Sequence, residues 1–411
     1  MNPGEAALAV AKRLLDPNSV LTAAPANTAA TLADGLAGTA LLHARLARVD
    51  TIFEKAARAH WDAAAAHAAR DTWPGCGTYG VVGGLAASLI LGSPYLHDPG
   101  ATARATSRSV KWLSAGAVRL AESYAERVRS GTPGTQRHVY DTVSGLAGIG
   151  RVLLAAMLNT EAAAESGLHA ALAAMTHMLT DRGQIRPGWW VASEPRSDTD
   201  ASGRADTGLA HGVAGPLAFL AAAQVAGYHA PGQEAAIRDT VRWLERWRTG
   251  HLGWQPYVSG HEFDTRRLTP RPGRRTAWCY GTAGVARALA AAGRALHDGA
   301  LIARARADLR RMAVAPADWD VEGPTLCHGY SGIMRCASGL EETIAAYAGS
   351  VVVQHADLSA AFVFPHIEHG HRTDNAGFLT GAAGVALTLA ERAELPAAPV
   401  TTPWDALLLV S

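Results

Sequence analysis

Two short segments of this chain carry residue types suited to metal chemistry. They are Trp278-Cys279-Tyr280-Gly281 and Cys327-His328-Gly329. Cys279, Cys327 and His328 together offer two thiols and an imidazole. Zinc accepts such a set, and three protein ligands with a fourth position open is the catalytic arrangement, whereas closed four-ligand sets are structural. The two cysteines are far apart in sequence, so the fold must bring them together.

A repeat supplies the means. Gly-x-x-Gly followed by an apolar helical run occurs seven times, with first glycines at Gly35, Gly80, Gly145, Gly212, Gly281, Gly329 and Gly381. Runs such as Leu146–Leu154 are apolar nearly all round, which marks a buried helix. The intervals leave room for one further helix. Between Ala235 and Trp247, Ile237, Val241, Leu244 and Trp247 recur at helical spacing, with Arg238, Arg242 and Glu245 on the other face. Seven buried inner helices ringed by seven amphipathic outer ones predict an all-α fold, an α/α toroid. The small glycine positions are expected to let neighbouring backbones approach. An open solenoid is the competing architecture. It calls for polar capping repeats, and neither end of the chain has one.

Aligned on the first glycine, the repeats place Ala33, Thr78, Val143, Ala210, Cys279, Cys327 and Leu379 in one slot. The next slot holds Asp34, Tyr79, Ser144, His211, Tyr280, His328 and Thr380. The two cysteines therefore occupy matching positions in adjacent repeats. The second row is almost wholly polar although it begins apolar helices, as expected of side chains gathered at one end of a helix ring. A helix N-terminus also favours thiolate. The competing reading is a pair of inert buried cysteines. Of the remaining thiols, Cys336 is expected in the core and Cys76 near the mouth.

Length alone suggests two or three domains, but the unbroken repeat predicts one, residues 1–411. The polar stretches Ser193–Thr207 and Glu262–Arg275 read as loops over the mouth. A chain with 48% hydrophobic and 18% charged residues is globular. A net charge of +1 argues against a nucleic-acid partner. The first residues lack the pattern of a signal peptide. The apolar run Val213–Val225 is too short to span a bilayer. Four cysteines with His spacing suit a reducing cytoplasm. His366, His369 and His371 form a further histidine group before the seventh repeat, and Trp243 and Trp247 lie one helical turn apart as outer-layer packing.

With these segments, and with Tyr140-Asp141, Leu209-Ala-His-Gly-Val-Ala-Gly215, Arg275-Thr-Ala-Trp278 and Trp404-Asp-Ala-Leu-Leu408, the whole chain resembles the lanthionine cyclases, the LanC-type enzymes of lanthipeptide biosynthesis. The resemblance implies an α/α toroid with one zinc per chain, held by Cys279, Cys327 and His328. It implies His211 as the acid/base histidine, Asp141 as its acidic neighbour, and Arg275 and Tyr280 as residues lining the site. A small β-rich extension occurs in some members. The region Pro94 to Arg137, where it would fall, reads as helical.

The implied reaction adds peptide cysteine thiols to dehydroalanine or dehydrobutyrine, closing (methyl)lanthionine thioether rings. The implied partners are a dehydrated precursor peptide, a separate dehydratase and a peptide exporter at the membrane. The implied location is the cytoplasm, with membrane association through a biosynthetic complex. Another class of function fits the same fold: a protein that holds zinc and a glutathione-type thiol without closing rings. A zinc prenyltransferase is a third, but its ligands are one Asp, one Cys and one His. The structural alternatives are a helix cap for Asp141, a loop hydrogen bond for His211, solvent or an acidic peptide for Arg275, and simple packing for Tyr280.

Overall fold

Each apolar run after a Gly-x-x-Gly forms a buried helix, and these helices make the inner wall of a ring. The computed structural model describes residues 1–132, 134–180, 185–192, 202–250, 253–269, 271, 276–313, 316 and 319–411. In chain order the helices are α1 (Pro3–Arg13), α2 (Pro17–Ala23), α3 (Leu36–Arg45), α4 (Thr51–Ala68), α5 (Val82–Gly92), α6 (Ala103–Arg129), α7 (Arg137–Tyr140), α8 (Leu146–Leu158) and α9 (Glu165–Leu179). They continue with α10 (Ala214–Val225), α11 (Gln233–Arg246), α12 (Gly260–Thr265), α13 (Thr282–Ala295), α14 (Gly299–Met312), α15 (Tyr330–Ala337), α16 (Glu342–Gln354) and α17 (Ala382–Arg392).

The inner helices α3, α5, α8, α10, α13, α15 and α17 pack in that order, and α17 returns to α3. The ring closes; the molecule is an α/α toroid. The outer helices α4, α6, α9, α11, α14 and α16 each back the inner helix before them. The seventh outer helix does not follow its inner partner. It is α1, from the other end of the chain, which packs on α17. The interval spacing offers six outer helices, and this one completes the layer.

Three of the outer helices carry side-chain caps: Asn2 and Glu5 form a capping box on α1, Asp50 caps α4 and Asp298 caps α14. The inner helices α3, α8, α13, α15 and α17 start at glycine with no side-chain cap. Carbonyls of the preceding loop accept from their first turn instead. Leu36 N–H donates to Ala29 O (2.8 Å), Gly284 N–H to Ala277 O (3.2 Å), Tyr330 N–H to Gly323 O (3.0 Å) and Ala382 N–H to Asn375 O (2.9 Å). The loop must hug the helix to do this. A Cβ at Gly332 would sit 2.1 Å from the Leu326 carbonyl oxygen, and one at Gly384 would sit 1.8 Å from that of Phe378. The second glycine of the motif therefore admits its own preceding loop, more than the neighbouring helix anticipated from sequence.

The centre of the ring is filled. The 3-10 turn Trp404–Leu408, with Leu409 and Val410 after it, is buried among the inner helices. Tyr79 Oη donates to Leu407 O and Trp278 Nε1 to Leu408 O, both at 2.8 Å. Arg287 donates to Val410 O (2.6 Å), and Arg335 pairs with Asp405. These contacts give the closing Trp-Asp-Ala-Leu-Leu segment its physical role: it is the floor beneath the helix starts.

Strand is confined to two small ribbons among the described residues. β1 (Arg204–Asp206) pairs antiparallel with β2 (Tyr257–Ser259), and β3 (His366–Glu368) with β4 (His371–Thr373). The stretch read as a loop at Ser193–Thr207 thus ends in a strand, and that at Glu262–Arg275 begins within α12; three-residue elements are too short to leave a period. Residues 193–201 and 272–275 lie outside the described residues. The 27-residue α6 occupies the segment where a β-rich extension would fall. Cys336 is in the core as expected, its thiol pushed up to about 12 by burial. Cys76 is also buried, packed against α6 at Gly116. Trp243 packs edge-on against Trp189 at 5.1 Å, and Trp247 stacks on Phe263 at 5.8 Å.

One buried pair gives the fold an acid limit. His43 and His60, 5.0 Å apart, are fully buried. His43 Nε2 bonds Leu14 O at 2.8 Å, and His60 Nδ1 meets Thr39 Oγ1 at 2.7 Å. Burial lowers His43 to about 3, aided by its neighbour, and lowers His60 to about 4. Both values lie below the unfolded 6.5, so the native state binds fewer protons between. Their stabilisation is complete above pH 6.5 and is lost as pH falls below it, at about 1.4 kcal/mol per histidine per pH unit. We expect the urea midpoint to fall between pH 7 and pH 5, and His43→Gln to flatten that fall. An unchanged slope in the variant would contradict this.

Candidate active site

The slot alignment reappears as a chain of backbone hydrogen bonds around the mouth. Ala210 N–H donates to Cys279 O (3.2 Å), Cys279 N–H to Cys327 O (3.2 Å), Cys327 N–H to Leu379 O (2.9 Å) and Leu379 N–H to Ala33 O (2.8 Å). Cys279 and Cys327 are therefore neighbours across adjacent helix starts, just before α13 and α15. Cys279 is buried and Cys327 partly so, and the buried His328 follows it. Gly281 has φ +98°, a value that favours glycine, and it turns the chain from Tyr280 into α13.

Of the polar row, Tyr79 departs. It is buried and points into the floor. His328 is also buried, whereas Asp34, Ser144, His211, Tyr280 and Thr380 are partly exposed; Thr380 Oγ1 donates to Asp34 Oδ1, and Asn375 Nδ2 donates to the same oxygen at 3.0 Å.

One repeat before Cys279, His211 faces Asp141. His211 Nδ1 lies 2.7 Å from Asp141 Oδ2. The histidine side chain is 35% exposed and the carboxylate 3%, so the imidazole is accessible while its partner is fixed below. Asp141 Oδ1 accepts from Ser144 N–H (2.6 Å) and Gly145 N–H (3.0 Å) at the start of α8. Asp141 is the histidine's partner through Oδ2; it is not a cap of α8, whose N-cap is Gly145, and its Oδ1 instead ties the turn that leads into that helix. Tyr140 Oη donates to His211 O at 3.3 Å, which fixes the backbone of the same turn. With Asp141 as acceptor, Nδ1 carries hydrogen and Nε2 is left for other chemistry.

Tyr280 stands 6.2 Å from His211, ring centre to ring centre. Burial, and then the nearby Asp206, raise its hydroxyl well above the usual phenol value. It stays protonated at neutral pH and can donate a hydrogen bond. Arg275 lies outside the described residues.

Sequence reasoning missed a charged cluster beside this pair. Asp206 on β1 is buried, with Arg137 Nε 2.6 Å and Arg204 Nε 3.2 Å away. Burial pushes its carboxyl up to about 6, with the Arg137 guanidinium pulling the other way. The signal was present: Arg137 opens the segment that ends in Tyr140-Asp141, and Asp206 is the one acidic residue just before the His211 turn.

His366 was also misjudged. The grouping with His369 and His371 does not form; those two are exposed on the β3–β4 hairpin. His366 alone turns inward, edge-on to His328 with ring centres 5.3 Å apart. His328, His366 and Glu368 each bring a ligand atom within 4.8 Å of the others. His328 thus belongs to two donor groupings, one with the cysteines by register and one with the hairpin.

The profile of the family described as lanthionine synthetase C-like protein matches residues 27–401. Over 261 residues the chain is 24% identical to the nisin biosynthesis protein NisC of Lactococcus lactis subsp. lactis, a stretch covering 61% of this chain and 60% of that relative's length. The structure superposes on that of nisin cyclase with a TM-score of 0.75 over 93% of both chains, at 20% identity. That second likeness is one of fold.

Proposed function

We propose that this chain, which belongs to the lanthionine synthetase C-like family, is a zinc-dependent lanthionine cyclase acting through residues 1–411 as one domain. Its substrate is a peptide bearing dehydroalanine or dehydrobutyrine and a free cysteine. The observation that carries the reading is the mouth itself: an Asp-held histidine and two adjacent cysteines on consecutive inner helix starts.

The donor set fits zinc. Cys279 and Cys327 are adjacent by their backbone hydrogen bond, His328 follows directly, and helix starts favour thiolate. When bound, zinc supplies the substrate sulfur as thiolate at pH 7, where a free thiol of pKa about 8.5 is only a few per cent ionised. The rest falls to the chain's own residues. Sulfur bonds to the β-carbon of the dehydro residue, and the double-bond electrons move to the α-carbon and its carbonyl. His211 Nε2–H delivers the proton to the α-carbon, and Asp141 stabilises the charged imidazole and holds its orientation. Tyr280 Oη donates to the developing enolate oxygen, with Arg275 as a second donor. The thiol proton lost at the start balances the one added, so the product has the mass of the substrate. The dehydro residue must come from a separate dehydratase, and the ring-bearing peptide is handed to an exporter. We place the reaction in the cytoplasm; no described helix is long and apolar enough to cross a membrane.

The test uses the zinc-loaded full chain and a peptide with one dehydroalanine and one cysteine. Alkylation followed by mass spectrometry should show the free thiol disappearing faster than in the enzyme-free control, with no other mass change. Thiol that stays alkylatable at the control rate, while the protein still binds glutathione, would favour the thiol-binding alternative.

A further inference from the structure

We propose that His366 is a fourth, displaceable metal ligand, seated beside Cys279, Cys327 and His328 until a substrate thiol takes its place. The proposal rests on the zinc reading above and concerns a residue outside its ligand set.

Three observations carry it. The His366 ring lies edge-on to His328, and one of its two ring nitrogens is within 4.8 Å of a ring nitrogen of His328. Its Nδ1 is buried and has no hydrogen-bond partner among the described residues. A buried polar atom left in that state asks for an occupant. Its other nitrogen, Nε2, is 3.5 Å from Glu368 Oε2. A carboxylate on the far nitrogen is the usual support of a metal-binding histidine, because it sets the tautomer and the ring orientation. The Glu368 side chain is about half exposed (47%), which suits that supporting role better than ligation. Both donor groupings contain His328, so one ion served by both is simpler than two.

A closed four-ligand zinc is structural, and chemistry requires a position to open. The element carrying His366 suits opening. The β3–β4 hairpin has two strands of three residues, and such a ribbon is marginal by itself. Its tip, His369 and Gly370, is left-handed (φ 50° and 76°), and β4 is exposed. Its polar ties are at the surface: Arg372 to Asp357 at 2.8 Å, and His369 N–H to Glu322. Ile367 packs against Gly323 in the loop that precedes His328. Movement of the hairpin would withdraw His366 while the cysteines and His328 stay on the helix ring. The site would then be capped without substrate and opened by it, which excludes other weak ligands.

The experiment is zinc K-edge absorption on the zinc-loaded full chain, with outer-shell scattering used to count imidazoles. We expect two sulfurs and two imidazoles in the wild type, and two sulfurs and one imidazole in His366→Ala. Adding 2-mercaptoethanol to the wild type should raise the count to three sulfurs and remove one imidazole. His366→Ala should bind zinc on the order of 10-fold more weakly yet bind 2-mercaptoethanol more tightly, a pairing that a purely structural role would not give. Should His366→Ala fold poorly, His366→Gln and the wild-type spectrum still decide. Two sulfurs and one imidazole in the wild type overturn the proposal alone. A spectrum with no sulfur overturns the cysteine ligands with it.

Discussion

Cys279→Ala and Cys327→Ala should each lose the metal and, with it, ring closure. The two residues are hydrogen-bonded neighbours at 3.2 Å on the α13 and α15 starts, so removing either takes away half of the thiolate pair. Loss of a group that merely supports a ligand costs roughly 10–100-fold in metal affinity, and loss of a ligand should cost at least that. Without the metal, the substrate thiol returns to being a few per cent ionised at pH 7, a loss of about 30-fold from ionisation alone. Loss of positioning adds to it. Plasma emission should find well under one zinc per chain in either variant. Cys336→Ala is the control, since that thiol is in the core and stays protonated; it should keep zinc and activity at some cost in stability. Full zinc occupancy in Cys279→Ala would refute the ligand assignment.

His211→Ala should keep its zinc and lose about 10²–10⁴ in rate, the usual contribution of a positioned acid or base. The two consequences separate because His211 stands on the α10 start, paired with Asp141. Asp141 allows a finer division. Its Oδ1 ties the turn leading into α8 while Oδ2 holds His211. Asp141→Asn can keep the turn through its amide oxygen and lose only the charge, so it should lower the rate with little change in melting temperature. Asp141→Ala removes both, and the lost turn hydrogen bonds should cost about 1 kcal/mol of stability in addition. Equal stability losses in the two variants would show that Oδ1 does not hold this turn.

The ring was legible because its signal is periodic: seven Gly-x-x-Gly starts, each before an apolar run, left few alternatives. The matching slots of Cys279 and Cys327 followed from the same register, and the hydrogen-bond chain around the mouth runs through both. What escaped were features made by segments with no period. The seventh outer helix, α1, comes from the opposite end of the chain, and nothing in its sequence names α17 as its partner. Asp206 and Arg137 meet only because β1 and α7 converge on the His211 turn. His366 looked like one of three clustered histidines, yet it sits at the end of the hairpin beside His328, while His369 and His371 lie at the exposed tip. Tyr79 sat in the polar row by alignment, but the floor segment supplies Leu407 O as its acceptor and draws it inward.

The central claim is that a histidine fixed by Asp141 delivers the α-carbon proton inside the ring. The measurement that bears on it most directly is the stereochemistry of the thioether after full hydrolysis, read by chiral chromatography. A proton given by one held imidazole arrives on one face, so the wild-type product should be a single lanthionine diastereomer, and the residual product of His211→Ala should drift to the ratio of the enzyme-free reaction. A wild-type product already at the enzyme-free ratio would mean that bulk water protonates the α-carbon and that His211 does not do what is claimed for it.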